Sequence, residues 1–280
     1  MATLFVNNLT NIDFSYLDPQ RGVVGETWLL DVELTGELDE QGMVFDFGDV
    51  KPLIKQFADN SIDHSLAVPE TAVEWLAAPG NNSDTKRFRY ALSDGGLIEH
   101  TSPSEAICVL PMATIEPEPV ARWLEAELLP QLPGNVKALT IMLRPEEISD
   151  AYYHYSHGLK HHGGNCQRIA HGHRSRVQLF ENGVRLPELE QQWAERWCDI
   201  YIGSVEDLVE TVELNGIPHY RFAYQAAQGS FELTIPKNRC DLMETDSTVE
   251  LIAAFIHQQL HRPGLKVRAF EGLAKGAVVA

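Results

Sequence analysis

Residues 165–180, NCQRIAHGHRSRVQLF, concentrate the side chains best suited to chemistry in this chain. His171 and His173 stand two apart at the start of an alternating run. On a strand such residues share a face, so the two imidazoles converge. His157, in YYHYSHGL, falls on the preceding strand and can complete a three-histidine set across a hairpin. Three protein ligands leave a fourth position open, the pattern of a catalytic rather than a structural zinc. The donor set favours zinc but leaves iron, nickel and copper open. Histidines on strands also pack, cap or face solvent, and the neighbouring His154, His161 and His162 are read as loop or surface residues. Cys166 lies five residues before His171 in a Gly-rich polar loop, an unfavourable place for a small buried hydrophobe. A thiol close to a dication and several arginines is available as a base.

Lys160, Arg168, Arg174 and Arg176 follow one another without an intervening Asp or Glu. On a chain of formal charge −18, this cationic island can steer a small anion. A basic loop without a ligand is the plainer alternative. The overall charge argues against nucleic acid as a partner, because phosphate backbones are held by basic surfaces. No stretch approaches the ~20 apolar residues of a membrane-spanning helix, so no membrane partner is expected. The start, MATLFVNNLT, lacks the basic and long apolar regions of a cleaved signal. Cys108, Cys166, Cys198 and Cys240 form no CxxC pair, which argues against a disulfide framework or a cysteine-based zinc finger. A cytoplasmic, reduced setting is expected.

Strands must hold these side chains, and the chain reads as two related units. A length of 280 residues suggests two domains. Residues 86–92 (KRFRYAL) and 219–225 (HYRFAYQ) both alternate as strands. Each is followed by an apolar stretch ending in Pro, AICVLP and FELTIP, then by an acidic segment and an amphipathic helix. The second helix opens on Asp246, Ser247 and Thr248 as N-cap candidates. Both copies close on short β-rich runs, ALTIML at 138–143 and LKVRAF at 265–270. Upstream, ETWLLDVELTG alternates and MVFDFGDVKPLIKQF leads into a helix; the counterpart is placed at HRSRVQLF (173–180) followed, after a longer insertion, by WCDIYIGSVEDLVETV. The period is roughly 130 residues. The boundary is expected near Glu147–Asp150, giving units 1–147 and 148–280.

The run Cys166-x4-His171-Gly-His173, preceded by Ser156-His157-Gly-Leu159, resembles the metal and base signature of the 6-pyruvoyltetrahydropterin synthase and 6-carboxytetrahydropterin synthase family. The resemblance implies that His157, His171 and His173 hold zinc and that Cys166 is the catalytic base. A second family signature, an Asp-His pair after the first helix, appears in the other unit as Asp63-His64, where it implies a proton shuttle. Glu271 best matches the residue that anchors the pterin ring, with Glu146 or Glu147 as first-unit equivalents. Arg168 and Arg174 are the candidates for holding the substrate's triphosphate. Val24-Gly25-Glu26 replaces HGH in the first unit, and no Asp-His pair is found in the second, so each unit lacks what the other keeps. The resemblance therefore implies composite sites and a homo-oligomer. Its fold implication is α+β: two tandem tunnelling-fold units, each an antiparallel four-stranded sheet with two helices on one face. The implied activity is a lyase that converts 7,8-dihydroneopterin triphosphate to a 6-carboxy- or 6-pyruvoyl-tetrahydropterin. A queuosine route would favour the 6-carboxy product. A non-catalytic pterin-binding protein of the same fold is the alternative.

Overall fold

In the computed structural model, which describes residues 1–81 and 83–280, the first half opens on β1 (Ala2–Asp18) and β2 (Gly22–Gly36), a long antiparallel hairpin. Trp28, Leu30, Val32 and Leu34 recur at every second position of β2 and are buried in one core cluster. That period turns one face of the strand inward. The Asp46 side chain accepts from Gly48 N to cap α1 (Phe47–Ser61), which buries Val50, Ile54 and Ala58 at helical spacing. There follow β3 (Leu66–Pro69), β4 (Glu74–Leu76), β5 (Thr85–Ala91), β6 (Leu97–Pro103) and β7 (Ile107–Leu110). Pro117 begins α2 (Pro117–Leu128), and β8 (Val136–Pro145) closes the half against β2. The sheet order is β7-β3-β1-β2-β8, with β3 and β7 parallel. Helices α1 and α2 share its core.

The second half repeats this connectivity. β9 (Tyr153–His157) pairs antiparallel with β10 (His171–Ser175), and β11 (Val177–Glu181) continues after Arg176 to a short β12 (Val184–Arg185). Helix α3 (Pro187–Arg196) leads to β13 (Ile200–Ser204), parallel to β9. β14 (Leu208–Leu214), β15 (Ile217–Ala226) and β16 (Gly229–Pro236) form a meander, and β17 (Cys240–Met243) lies parallel to β13. Helix α4 (Val249–Leu260) is capped by Thr248, one of the three candidates; β18 (Leu265–Phe270) and β19 (Gly276–Val279) follow. The order β10-β9-β13-β17 copies β2-β1-β3-β7, and β18 pairs with β11 as β8 does with β2. The chain is thus a tandem α+β duplication, its antiparallel strands extended by parallel ones in each half.

One expected counterpart is misplaced. WCDIYIGSVEDLVETV forms no α-helix; it supplies β13 and β14, with a single 3-10 turn at Val205–Asp207 between them. The helix lies upstream, where Pro187 occupies the first turn and Trp193 and Ala194 face the core. β-Branched residues in IYIGSVEDLVETV favour strands instead.

The two halves are joined in two ways. β6 pairs antiparallel with β16, so hairpins from both halves make one six-stranded sheet over a shared core that includes Phe88, Ile98, Phe222 and Leu233. Elsewhere β2 packs on β9 and β10 at very short range: a Cβ on Gly25 would lie 1.8 Å from Tyr155 O. The Ser15 and Ser156 hydroxyls hydrogen-bond there at 2.7 Å. The obstructing atoms are backbone and cannot swing aside. Gly25→Ala is therefore expected to cost about 3 kcal/mol or more, at the upper end for overpacking, read as a lower urea midpoint. An unchanged midpoint would show that the halves are not in contact there. No helix among the described residues is long and apolar enough to cross a membrane.

Candidate active site

Antiparallel pairing sets His171 directly opposite His157, with His173 opposite Tyr155 two residues on. All three imidazoles are buried, with ring centroids 4.5 Å (157–171), 5.5 Å (157–173) and 5.9 Å (171–173) apart. His157 Nδ1 lies 3.0 Å from both the carbonyl and the hydroxyl of Ser247, and His171 Nδ1 lies 3.0 Å from the Arg168 carbonyl. An Nδ1–H given to a carbonyl leaves Nε2 with a bare lone pair. His157 Nε2 is buried without a partner, a costly arrangement for a polar atom that nothing else fills. Burial, reinforced by the neighbouring imidazoles, holds His157 and His171 well below the ordinary imidazole value, so both rings are neutral. One ligand nitrogen from each of the three rings lies within 4.8 Å of the other two. Neutral, convergent imidazoles of this kind fit a dication.

The first half supplies the facing groups. His64 follows α1 in the left-handed region (φ 52°), a backbone state that His tolerates better than most residues. Its Nδ1 lies 2.6 Å from Asp63 Oδ2. Its ring centroid is 5.3 Å from that of His171. Burial opposes charge on His64, but the hydrogen bonds to Asp63 and Cys166 outweigh it and push the imidazole up to about 10. At neutral pH His64 therefore holds its proton. Cys166, half-buried in the turn Asn165–Gln167, presents its Sγ within 4.8 Å of ring nitrogens of His64 and His171.

Glu271 also reaches the cluster, its Oε1 3.8 Å from His173 Nε2 and 3.4 Å from Lys275 Nζ. The arginines do not converge on it in the same way. Arg168 is buried, donating to Gln228 Oε1 at 3.1 Å and to the His64 carbonyl at 3.3 Å, so it braces the loop that carries Asp63 and His64. Arg174 alternates with His173 along β10, and its guanidinium lies over the Tyr152 ring at 4.0 Å and donates to the Glu146 carbonyl. The expected cationic island is dispersed: Lys160 pairs with Glu206 and Asp207, and Arg176 with Glu146. His154 is likewise no surface residue; it is buried on β9 with Nδ1 2.7 Å from the Gly25 carbonyl.

Sequence reasoning missed Asp13, which is buried with Oδ1 3.2 Å from His173 Nδ1. That contact is close enough for a hydrogen bond but out of line for one, so neither nitrogen of His173 has a directed partner. Burial opposes the charge on Asp13, yet His173, Lys275 and the Thr27 hydroxyl outweigh it and hold the carboxyl well below the usual range.

The duplication places a second, altered copy of this arrangement in the other half. Tyr16, Ser15 and Phe14 oppose Val24, Gly25 and Glu26 as His157, Ser156 and Tyr155 oppose His171, Gly172 and His173. After α3, Cys198-Asp199 stands where Asp63-His64 follows α1, and Asp199 shares the φ of 52°. Arg21 crosses this copy, donating to Asp199 at 2.9 and 2.6 Å and to Tyr16 Oη at 2.8 Å. Among the described residues, the two groups able to hold a metal both lie at the first arrangement and share His171.

The family model for 6-pyruvoyl tetrahydropterin synthase matches residues 12–153, half of the chain. A protein of Pyrococcus horikoshii provisionally named 6-carboxy-5,6,7,8-tetrahydropterin synthase is 23% identical over 132 residues, 47% of this chain and 74% of the relative. One of Pyrococcus abyssi with the same provisional name is 25% identical over 130 residues, 46% of this chain and 73% of the relative. Among solved structures, the 6-pyruvoyl tetrahydropterin synthase of Plasmodium falciparum aligns with a TM-score of 0.40 at 14% identity, covering 51% of this chain and 90% of that one. That of Plasmodium vivax aligns with a TM-score of 0.38 at 16% identity, covering 51% and 97%. The chain belongs to the 6-pyruvoyl tetrahydropterin synthase family and is a lyase of the pterin-synthase type. The matched span holds Asp63 and His64 but stops short of His171 and His173.

Proposed function

We propose that this chain is a zinc-dependent lyase acting on 7,8-dihydroneopterin triphosphate, with one composite site assembled from both halves of a single chain. The observation that carries the reading is the meeting of Asp63-His64 from one half with Cys166 and His171 from the other. His157, His171 and His173 are the metal ligands. A zinc ion held there would supply Lewis-acid stabilisation of negative charge developing on the substrate's side-chain oxygens. Cys166 removes a proton from the substrate side chain. His64, protonated at neutral pH and held by Asp63, returns a proton to the departing or rearranging oxygen. Glu271 accepts hydrogen bonds from the pterin's amino and ring N–H groups, a planar match for a carboxylate. Arg168 and Arg174 remain the candidates for the triphosphate only if their present partners are exchanged on binding. Of the two products, the 6-carboxy form is supported by the names of the Pyrococcus relatives.

The same reading divides the chain into units 1–147 and 148–280. It also carries a homo-oligomer, supported by β8, which among the described residues pairs only with β2 and so offers its other edge to a second copy. Incubating the zinc-loaded full chain with 7,8-dihydroneopterin triphosphate and identifying the product tests the proposal. A 6-carboxy- or 6-pyruvoyl-tetrahydropterin is the expected result. Substrate bound one to one but recovered unchanged would replace the lyase by a pterin-binding protein.

A further inference from the structure

We propose that Asp13, from the first half, is a positioning residue that sets the His173 ring for the metal and locks the Asp63-His64 pair to it. The inference rests on the metal reading above and extends it to a residue outside the three ligands. Asp13 is 1% exposed, and each of its carboxylate oxygens is engaged. Oδ1 accepts from Thr27 Oγ1 at 2.6 Å and lies 3.2 Å from His173 Nδ1. Oδ2 accepts from Asn11 Nδ2 at 2.9 Å and lies 3.5 Å from Lys275 Nζ. Gly272 closes over the contact with a φ of +60°, and a Cβ there would meet Asp13 Oδ1 at 2.6 Å and Thr27 Oγ1 at 2.9 Å. The carboxylate is thus fixed in place by neighbours from both halves, with a ring nitrogen of His173 as the group it faces.

Metal-binding imidazoles are commonly oriented by a carboxylate on the nitrogen that does not bind, which fixes the tautomer and raises ligand basicity. A carboxylate facing Nδ1 leaves Nε2 of His173 as the lone pair available to a cation. The backbone of the same residue does a second task. Asp13 N donates to Asp63 Oδ1 at 2.8 Å, and His64 N donates to the Asp13 carbonyl at 2.7 Å. One residue thereby ties a metal ligand of the second half to the acid-base pair of the first. The altered copy contains the same contact with its members exchanged. His154 stands at the position of Asp13 and Glu26 at that of His173, and they lie 3.8 Å apart. A carboxylate facing an imidazole across the two halves therefore occurs at both sites, although only one has the three histidines.

The test is zinc affinity of the full-length metal-free chain, measured by competition with a chromophoric chelator. Asp13→Asn keeps the shape and the backbone contacts but removes the charge. It should bind zinc 10- to 100-fold more weakly than wild type, with the far-UV circular dichroism of the metal-free protein unchanged. The visible absorption bands of the cobalt-substituted variant should shift as well, since they report ligand geometry rather than fold. If Asp13→Asn does not fold, Thr27→Val, which removes one donor to the carboxylate, should still weaken zinc binding by about 10-fold. A folded variant with wild-type zinc affinity and wild-type cobalt bands overturns the role of Asp13. Wild-type protein that takes up no zinc overturns the metal reading itself, which is a separate outcome.

Discussion

Replacing His64 with Ala is expected to lower kcat by about 10²- to 10⁴-fold, the usual contribution of a positioned acid or base, while zinc per chain stays at the wild-type level. The expectation follows from where His64 sits. It belongs to the first half, bonds through Nδ1 to Asp63, and approaches the second half's cluster from the Cys166 side. Two groups in this region could hold a cation, His157-His171-His173 and His64-Cys166-His171. If the metal occupies the first, removing His64 leaves its ligands untouched and costs only proton transfer. If it occupies the second, His64→Ala loses metal and activity together. Turnover and metal analysis on the same preparation therefore separate a proton shuttle from a ligand. Activity within about threefold of wild type would remove the composite site from consideration, because a missing general acid-base group costs far more than that.

His171→Ala should have the larger effect on the metal, since His171 is common to both candidate groups. Wild-type protein stripped with chelator should gain thermal stability when zinc is returned, because a ligand that binds only the folded state stabilises it by RT ln(1 + [L]/Kd), about 2.7 kcal/mol at a hundredfold excess over Kd. In His171→Ala this zinc-dependent rise in Tm should vanish, and turnover should fall below detection. The comparison is made within each protein, with and without zinc, so any cost of removing a buried ring cancels. A variant that still binds one zinc per chain with the same rise would exclude His171 as a ligand and would move the site elsewhere.

The metal-type cluster was legible because its information is local. Two histidines two apart on a strand share a face by backbone geometry alone, and the third sits across a hairpin pair. Asp63 and His64 were found through family resemblance, whereas their approach to Cys166 required the tertiary structure. Asp13 escaped notice because its meaning lies in a contact 160 positions away, and a lone Asp on a strand carries no spacing signal. Alternation on β10 sets Arg174 on a different face from its neighbour His173, a placement that the count of basic residues in the sequence did not convey. Helix α3 was missed because PELEQQWAER is mostly polar, and only Glu190, Trp193 and Ala194 become buried. That error hid Cys198-Asp199 as the counterpart of Asp63-His64. The N-cap and the amphipathic stripe of α4 were readable from chemistry alone, and Thr248 holds the cap while Ser247 turns to His157.

The shared six-stranded sheet has a consequence for how the polypeptide is made. β6 finds one of its two neighbours in β16, about 130 residues further along. At ribosomal speeds that partner emerges on the order of ten seconds later. Until then the nascent β4-β5-β6 ribbon presents an unmatched border of amide and carbonyl groups to solvent or to another nascent copy. Yield from the cell is therefore set as much by what shields this border during translation as by the strength of the finished protein.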